Sequence, residues 1–391
     1  MKLIFVTEAR FTRDKNGKVF GDTSFNKDLW SRYLTVFSHV YVMARVKYDE
    51  KYIGTETNLS SAEKVTFIEL PYFIGPFQYL KVKSKLIKKI KANIDLPDVK
   101  YLCRVPGNIS NLVIKNLISN NISYGVEVVG DPWDVFAPGT IKHPLRSYFR
   151  WKGYYDLKYN IKNAAAVLYV TKEALQKRYP VNEKIFTTSA SNVKIKDNLI
   201  VTFPKTHSYN EEIKLLSIGS LEQMYKSPDV VIKTVKKLND NGVNCRLTWL
   251  GDGLFRTQME ELSQELEISH KIEFKGNVSA DDVRINLEES DIFILASRTE
   301  GLPRAIIEAM SLGLPCIGTN VGGIPELLSK VVLVPKNNEN ALFDTIKKLI
   351  KEPNLYNEQA KINLNNAHLY KESILLKKRN QFYEFLANLP K

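Results

Sequence analysis

Strand-like and helix-like segments alternate along the whole of this chain, and that alternation restricts the fold more than any other feature. Short apolar runs separated by stretches of helical periodicity are the pattern of parallel strands with crossover helices on the sheet faces. In the first half the strand segments are Lys2–Thr7, Val40–Ala44, Val65–Leu70, Val99–Cys103, Tyr124–Val129, Ala165–Val170 and Lys184–Thr188. Helical patterns fall between them near Phe25–Phe37, Gln78–Ala92, Gly107–Ser119 and Leu145–Asn160. The polar stretch Lys194–Glu212, with Pro204 inside it, reads as a linker. After it the series begins afresh with Ile213–Ile218, Cys245–Leu250, Lys271–Lys275, Asp291–Ala296, Pro315–Gly318 and Val331–Val334.

Helix signals in the second half agree. Ser227 before Pro228 reads as an N-cap and first helical residue, with Gly242 as the stop. Ser279 with Asp282 resembles a capping box opening a helix over Ala280–Ser290. The tail is helical from Leu342, and Ser373–Leu386 is long enough to pack across both halves. A chain of 391 residues exceeds one ordinary core, so two domains are expected, 1–200 and 201–372, with a last helix at 373–388 returning to the first. The expected architecture is α/β, two Rossmann-like doubly wound domains facing a central cleft. In such sheets ligands sit beyond the carboxyl ends of the strands, so the loops that follow strands carry the function.

Composition narrows the setting. No apolar run reaches the length of about 18 residues that a membrane-spanning helix needs. The opening MKLIFVTEAR is too briefly apolar for a secretory signal, which makes the cytoplasm the expected compartment. Cys103, Cys245 and Cys316 are far apart in apolar contexts without metal-ligand spacing, and read as buried free thiols. The net charge of +13 is uneven: residues 1–200 hold 32 Lys and Arg against 18 Asp and Glu, the rest 24 against 25. The first half is therefore the one expected to face an anionic partner.

The segment SRTEGLPRAIIEAMSLGLPC (Ser297–Cys316) follows a strand. Gly301 and Pro303 mark a tight turn, and a helix starts at Arg304. Backbone N–H groups of Gly301, Leu302 and Arg304, around the Pro303 turn, then point out of a helix N-terminus, a ready site for a diphosphate. Glu300 lies beside that site and Glu308 on the helix. Ionised carboxylates there can accept sugar hydroxyls. The residues alone equally allow Glu300 as a dipole partner and Glu308 as a solvated helix residue.

Glu300 and Glu308 separated by seven residues, with Gly301, Pro303, Ala309-Met310, Gly313 and Pro315, resemble the signature of the family-4 retaining glycosyltransferases. Gly322-Gly323-Ile324-Pro325-Glu326 is similar to that family's next element. The resemblance covers the second half in order and the first half only in layout. It implies a GT-B fold and transfer from a nucleotide-diphospho-sugar, carrying UDP or GDP, by a hexosyltransferase-type enzyme that requires no bound metal or other cofactor. It also implies that Glu300 is placed by the donor sugar and that Glu308 binds the ribose hydroxyls. Lys226 falls where the family has a diphosphate-binding Lys, after Gly219-Ser220-Leu221. Ser220 departs from the usual Arg, and Arg298 or Arg304 is the expected substitute. Gly251-Asp252-Gly253 and Asn277-Val278 match family loops at the donor, the glycines allowing close backbone approach to a ligand and the second loop cradling the base.

On the acceptor side the family commonly has a His after the strand at Tyr124–Val129. This chain has Asp131 and Asp134 there, and Asp131 is the expected participant. Arg10 and Arg104, each close behind a strand, are expected to hold acceptor phosphate or carboxylate. Lys81–Lys91 places Val82, Leu86 and Ile90 four apart among six lysines, behind the apolar Pro71–Leu80. Pro71–Lys91 therefore reads as a contact with an anionic membrane surface, with a solvated helix packed on the sheet as the alternative. A peripheral position at the inner face of the membrane would suit a glycan or lipid-linked acceptor in cell-surface polysaccharide synthesis. No motif supports nucleic acid. A nucleotide-sugar-binding pseudoenzyme and a GT-B epimerase are the competing readings.

Overall fold

The structure is a computed structural model describing residues 1–94, 96–138, 140, 143–207 and 212–390. Residues 208–211 of the expected linker lie outside the described residues. The first half holds β1 (Lys2–Arg13), β2 (Val19–Phe20), α1 (Lys27–Leu34), β3 (His39–Tyr48), β4 (Val65–Leu70), α2 (Gly75–Lys91), β5 (Val99–Val105) and α3 (Asn108–Ser119). It continues through β6 (Tyr124–Val128), α4 (Pro132–Val135), α5 (Arg146–Lys162), β7 (Ala166–Tyr169), α6 (Ala174–Arg178) and β8 (Phe186–Ser189). The sheet order is β4-β3-β1-β5-β6-β7-β8, all parallel, with β2 antiparallel on the end of β1.

The second half runs β9 (Ile213–Ile218), α7 (Pro228–Asp240), β10 (Cys245–Leu250), α8 (Arg256–Glu265), β11 (Ile272–Gly276), α9 (Ala280–Glu289) and β12 (Ile292–Leu295). Then come α10 (Arg304–Ser311), β13 (Cys316–Thr319), β14 (Leu333–Val334), α11 (Glu339–Lys351), α12 (Pro353–Ala367) and α13 (Glu372–Ala387). Its six strands are parallel in the order β11-β10-β9-β12-β13-β14. Each sheet therefore starts at its centre and reverses direction once, between β1 and β5 and between β9 and β12. Loops leave such a switch point in opposite directions and open a crevice at the carboxyl edge.

The sheet centres are apolar because both faces are covered. Leu3, Ile4, Phe5 and Val6 of β1 are fully buried, as are Phe293 and Ile294 of β12. β1 and β3 run beyond their apolar cores. A register shift between Val6 and Arg10 lets them pair on to Arg13 and Tyr48. Arg10, Thr12, Arg13 and Lys47 break the hydrophobic pattern there, so the extension is silent in the sequence.

Three local expectations meet the structure differently. The Ser279–Asp282 capping box is present. Ser227 is not a side-chain cap: it sits in the left-handed region at φ 53, its hydroxyl buried without a hydrogen-bond partner among the described residues. The stripe on α2 faces inward, with Leu86 and Ile90 in the core and Val82 and Ile87 half-buried. That stripe is not available to lipid, and the exposed lysine face follows from it.

The last helix lies against the first sheet, contacting β7, β8 and α1. Gly125 on β6 makes room for it, since a Cβ there would stand 3.2 Å from both Leu386 and Phe382. Phe385 stacks on Phe186 at 4.6 Å, and the Arg379 guanidinium donates to the carbonyls of Ala190 and Ser191. Phe382 is fully buried in this seam. Phe382→Ala should cost about 3–5 kcal/mol in denaturant unfolding through the cavity it leaves, and an unchanged midpoint would contradict this packing.

Candidate active-site cleft

Glu300 stands in the loop between β12 and α10, at the carboxyl edge of the second sheet. Its carboxylate accepts a hydrogen bond from the Ser297 hydroxyl at 2.7 Å and pairs with the Lys226 ammonium. The Glu300 and Lys226 side chains are only 9% and 12% exposed, so neither charge is well solvated and each depends on the other. The backbone of this loop is clasped by Gly322 and Gly323. Gly322 has φ +53, and a Cβ on it would fall 1.9 Å from the Glu300 carbonyl oxygen. Gly323 donates its N–H to Gly301 O at 2.7 Å. The match at Gly322–Glu326 thus has a steric cause. Glu326 reaches the other half, where its carboxylate accepts N–H bonds from Lys172 at 2.6 Å, Glu173 at 2.9 Å and Ala174. It occupies the otherwise uncapped start of α6 and ties the two halves together beside the cleft.

Of the two arginines expected to stand in for the Arg missing at Ser220, Arg298 is already engaged within the protein. Its guanidinium donates to Asp229 at 2.8 and 3.1 Å, to Asn337 at 2.7 Å and to Met224 O. Its own N–H bonds Tyr225 O at 2.7 Å. All three guanidinium nitrogens are committed to holding the Met224–Lys226 turn against the β12 loop, which sets Lys226 opposite Glu300. Arg304, the first residue of α10, is exposed and makes no hydrogen bond or ion pair with the described residues. Its field reaches Glu308, one turn on. Burial pushes the Glu308 carboxyl above its ordinary value, and Arg304 pulls it partly back.

The loops after β9 and β10 interlock. Gly219 and Leu221 donate to Leu250 O and Asp252 O, each at 2.9 Å. Gly251 (φ +131) and Gly253 (φ +152) are obligatory, because a Cβ would lie 2.2 Å from Gly219 O and 2.1 Å from Glu222 N. Within the protein itself, the close approach of these glycines is toward the neighbouring loop. Ser220 is exposed, its hydroxyl accepting from Glu222 N at 3.2 Å. Asn277 is exposed and Val278 half-buried in the loop after β11.

The first half presents a different picture from the one expected. Both Asp131 oxygens are engaged. Oδ1 accepts from Trp133 N at 2.9 Å and from the Tyr179 hydroxyl at 2.6 Å, while Oδ2 pairs with Arg178. Burial still pushes its carboxyl up, against the Tyr179 bond and the Arg178 charge. Asp134 shares Arg178 at 3.0 Å. Asp131 is therefore a buried cap and anchor rather than a free acid or base. Arg104 lies over the Phe25 ring at 5.0 Å, its Nε 3.8 Å from Glu127, with a largely buried side chain. Arg10 is exposed on the β1 extension.

A cavity of about 320 Å³ joins the halves. Val129, Gly130, Asp131, Val135 and Thr140 line one side; Gln223, Tyr225, Thr299, Glu300 and Gly301 line the other. The geometry brings Glu300 and Gly301 to this space with Lys226 paired to Glu300, while Arg304 and Glu308 lie on α10, which follows the same loop. Ser297, Gln223, Tyr225, Thr299, Arg178 and Tyr179 carry no motif of their own, and only chain folding assembles them. Arg298→Ala should lower the melting temperature and weaken any ligand that needs Lys226, because the Met224–Lys226 turn loses its anchor. Equal melting temperature and equal binding by calorimetry would show that the turn stands without it.

Residues 201–365 match the family described as Glycosyl transferases group 1. Protein CapJ of Staphylococcus aureus is 31% identical over 98% of this chain and 98% of its own length. The putative colanic acid biosynthesis glycosyltransferase WcaL of Escherichia coli is 31% identical over 33% of this chain and 34% of its own. The Anabaena protein HepE, solved with UDP and glucose, shares the fold over 100% of both chains with a TM-score of 0.68 at 15% identity. With the full-length relative, the matched family and the clasped Glu300 loop in agreement, the chain belongs to the group 1 glycosyltransferases, on a GT-B fold.

Proposed function

We propose that this protein moves a sugar from a nucleotide-diphospho-sugar to a glycan or lipid-linked acceptor, with retention, in polysaccharide synthesis. The observation carrying this reading is the Glu300 carboxylate held by Ser297 and Lys226 at the cavity shared by both halves. Glu300 accepts hydroxyls of the donor sugar, and Glu308 those of the ribose. Lys226 and the N–H groups at the start of α10 take the diphosphate charge that develops as the bond from the anomeric carbon to phosphate breaks. The acceptor oxygen closes on the same face, and its proton passes to the leaving phosphate. The full engagement of Asp131 supports a step that needs no side-chain base there. The name of WcaL favours polysaccharide as the product class, and HepE puts UDP-sugars first in a donor panel.

Arg304 is the cation proposed to make up for Ser220. A donor-binding protein without turnover is the second reading, favoured by the absence of charge at Ser220 and the commitment of Arg298. In the Pro71–Lys91 segment, the surface left for an anionic membrane is the lysine face and the exposed first turn with Ile74, Phe77 and Leu80.

Incubation with UDP- and GDP-sugars and a lipid-linked or oligosaccharide acceptor should release nucleotide and form product whose anomeric configuration matches the donor. Donor binding without release would favour the second reading. Lys226→Ala should lower kcat by about 100-fold or more, the scale of one lost transition-state donor. Arg304→Ala should lower kcat/KM by about 10- to 100-fold, equivalent to one charge-assisted contact; full activity in that variant would leave Ser220 uncompensated. The raised Glu308 carboxyl sets a pH dependence. Its ionised form accepts the ribose hydroxyls, so donor affinity should be full above that raised value and fall as pH drops through it. Glu308→Gln should bind donor weakly at every pH, and a slope preserved in that variant would assign the titration elsewhere.

A further inference from the structure

On α5 the side chains of Tyr148, Trp151, Tyr155 and Tyr159 recur at helical spacing on one face. That spacing ordinarily marks a core stripe. Here it is the outer face, with exposures of 57%, 50%, 60% and 47%. The core side of the same helix is supplied by Leu157, Asn160 and Ile161. The exposed rings support one another: Trp151 stacks on Tyr155 at 5.8 Å and meets Trp133 edge-on at 4.7 Å. Exposed Leu145 and Val135 prolong the patch toward the cavity, which Val135 also lines. A contiguous apolar band of this kind is rare on a protein surface that faces only water.

The setting of the band identifies what covers it. Lys152 and Lys158 flank it on either side and Lys162 continues it, all three exposed; the Lys152 ammonium pairs with Asp156 and that of Lys158 lies 5.8 Å over the Tyr154 ring, so their stems run along the aromatic face. Tyr and Trp, amphipathic rings with a polar tip, are the residues enriched where hydrocarbon meets lipid headgroups. The helices α2, α3 and α5 share one core against the same sheet face, so the exposed Ile74, Phe77 and Leu80 turn and the lysines of α2 belong to the same helical layer. The whole excess of positive charge lies in this half. No helix among the described residues is long and apolar enough to cross a membrane.

We propose that the outer face of α5 is an interfacial docking surface for an anionic lipid bilayer, lying flat in the headgroup region with Tyr148, Trp151, Tyr155 and Tyr159 inserted. It rests on the membrane reading given for Pro71–Lys91 and extends it to a separate helix. The cavity then opens beside the membrane through Val135 and Leu145, where the sugar end of a lipid-linked acceptor would arrive.

The test uses the full chain and vesicles of phosphatidylcholine with or without phosphatidylglycerol. Brominated lipid should quench Trp151, since Trp30 and Trp249 are buried and Trp133 is half-buried between Trp151 and Arg150; Trp151→Phe should remove most of that quenching, and Trp133→Phe should leave most of it. Replacing all four aromatics by Ser should lower the fraction floating with anionic vesicles by about tenfold, with circular dichroism and nucleotide release on a water-soluble acceptor preserved. A separate Phe77→Ser/Leu80→Ser variant tests α2. If that variant loses vesicle binding while the α5 variant keeps it and Trp151 escapes quenching, α2 is the contact and the α5 proposal is overturned. Absence of wild-type binding to anionic vesicles overturns both. A band that instead mediates dimerisation, seen by light scattering, or binds soluble glycan without binding vesicles also overturns it.

Discussion

Arg298 joins the two loops whose charges meet in the cleft. By bonding Met224 O, Asp229 and Asn337 from a position three residues after β12, it holds the Met224–Lys226 turn against the β12 loop. Lys226 then stands over Glu300, and the partly buried carboxylate gains the partner it needs. An unpaired carboxylate at that depth would be costly, so the placement of Glu300 depends on this tie as much as on its own loop. Arg298 is thus committed to this tie, and Arg304, the next arginine along, makes no hydrogen bond or ion pair with the described residues.

Around this tie the second half is built for contact between backbones. Gly251, Gly253, Gly322 and Gly323 each lie where a Cβ would strike the main chain of a neighbouring loop. Four loops from separate strands can therefore converge at one edge, leaving the N-terminus of α10 and the Glu300 carboxylate facing open space. The glycines of these loops let the walls of the cleft touch. Glu326, from the same glycine-rich element, then carries the second half onto the start of α6 in the first.

The first half is organised by different constraints. Asp131, Arg178, Tyr179 and Asp134 form a buried anchor that positions α4 and one wall of the cavity. The returning α13 seals the far face of the sheet, and α2, α3 and α5 cover the other with basic and aromatic groups directed outward. Its chemistry therefore lies more in surfaces than in individual acids and bases.

The sequence by itself determined the two doubly wound sheets, because strand and helix periodicity are local properties repeated across thirteen strand segments, with only the short β2 left to the structure. It also marked Glu300, Gly301 and Glu308, since a turn, a helix start and two carboxylates occur within one short segment, while Lys226 was marked only by its place in the family resemblance. Tertiary structure alone decided which neighbours were free. Arg298 and Arg304 are both exposed-type residues flanking one motif, and only their partners separate an anchor from a candidate phosphate ligand. Asp131 is engaged by residues 47 and 48 positions away, a contact no local pattern encodes. The α2 stripe takes the packed alternative and the α5 stripe faces outward for the same reason: periodicity shows that one face differs from another, and packing decides which of them meets the core.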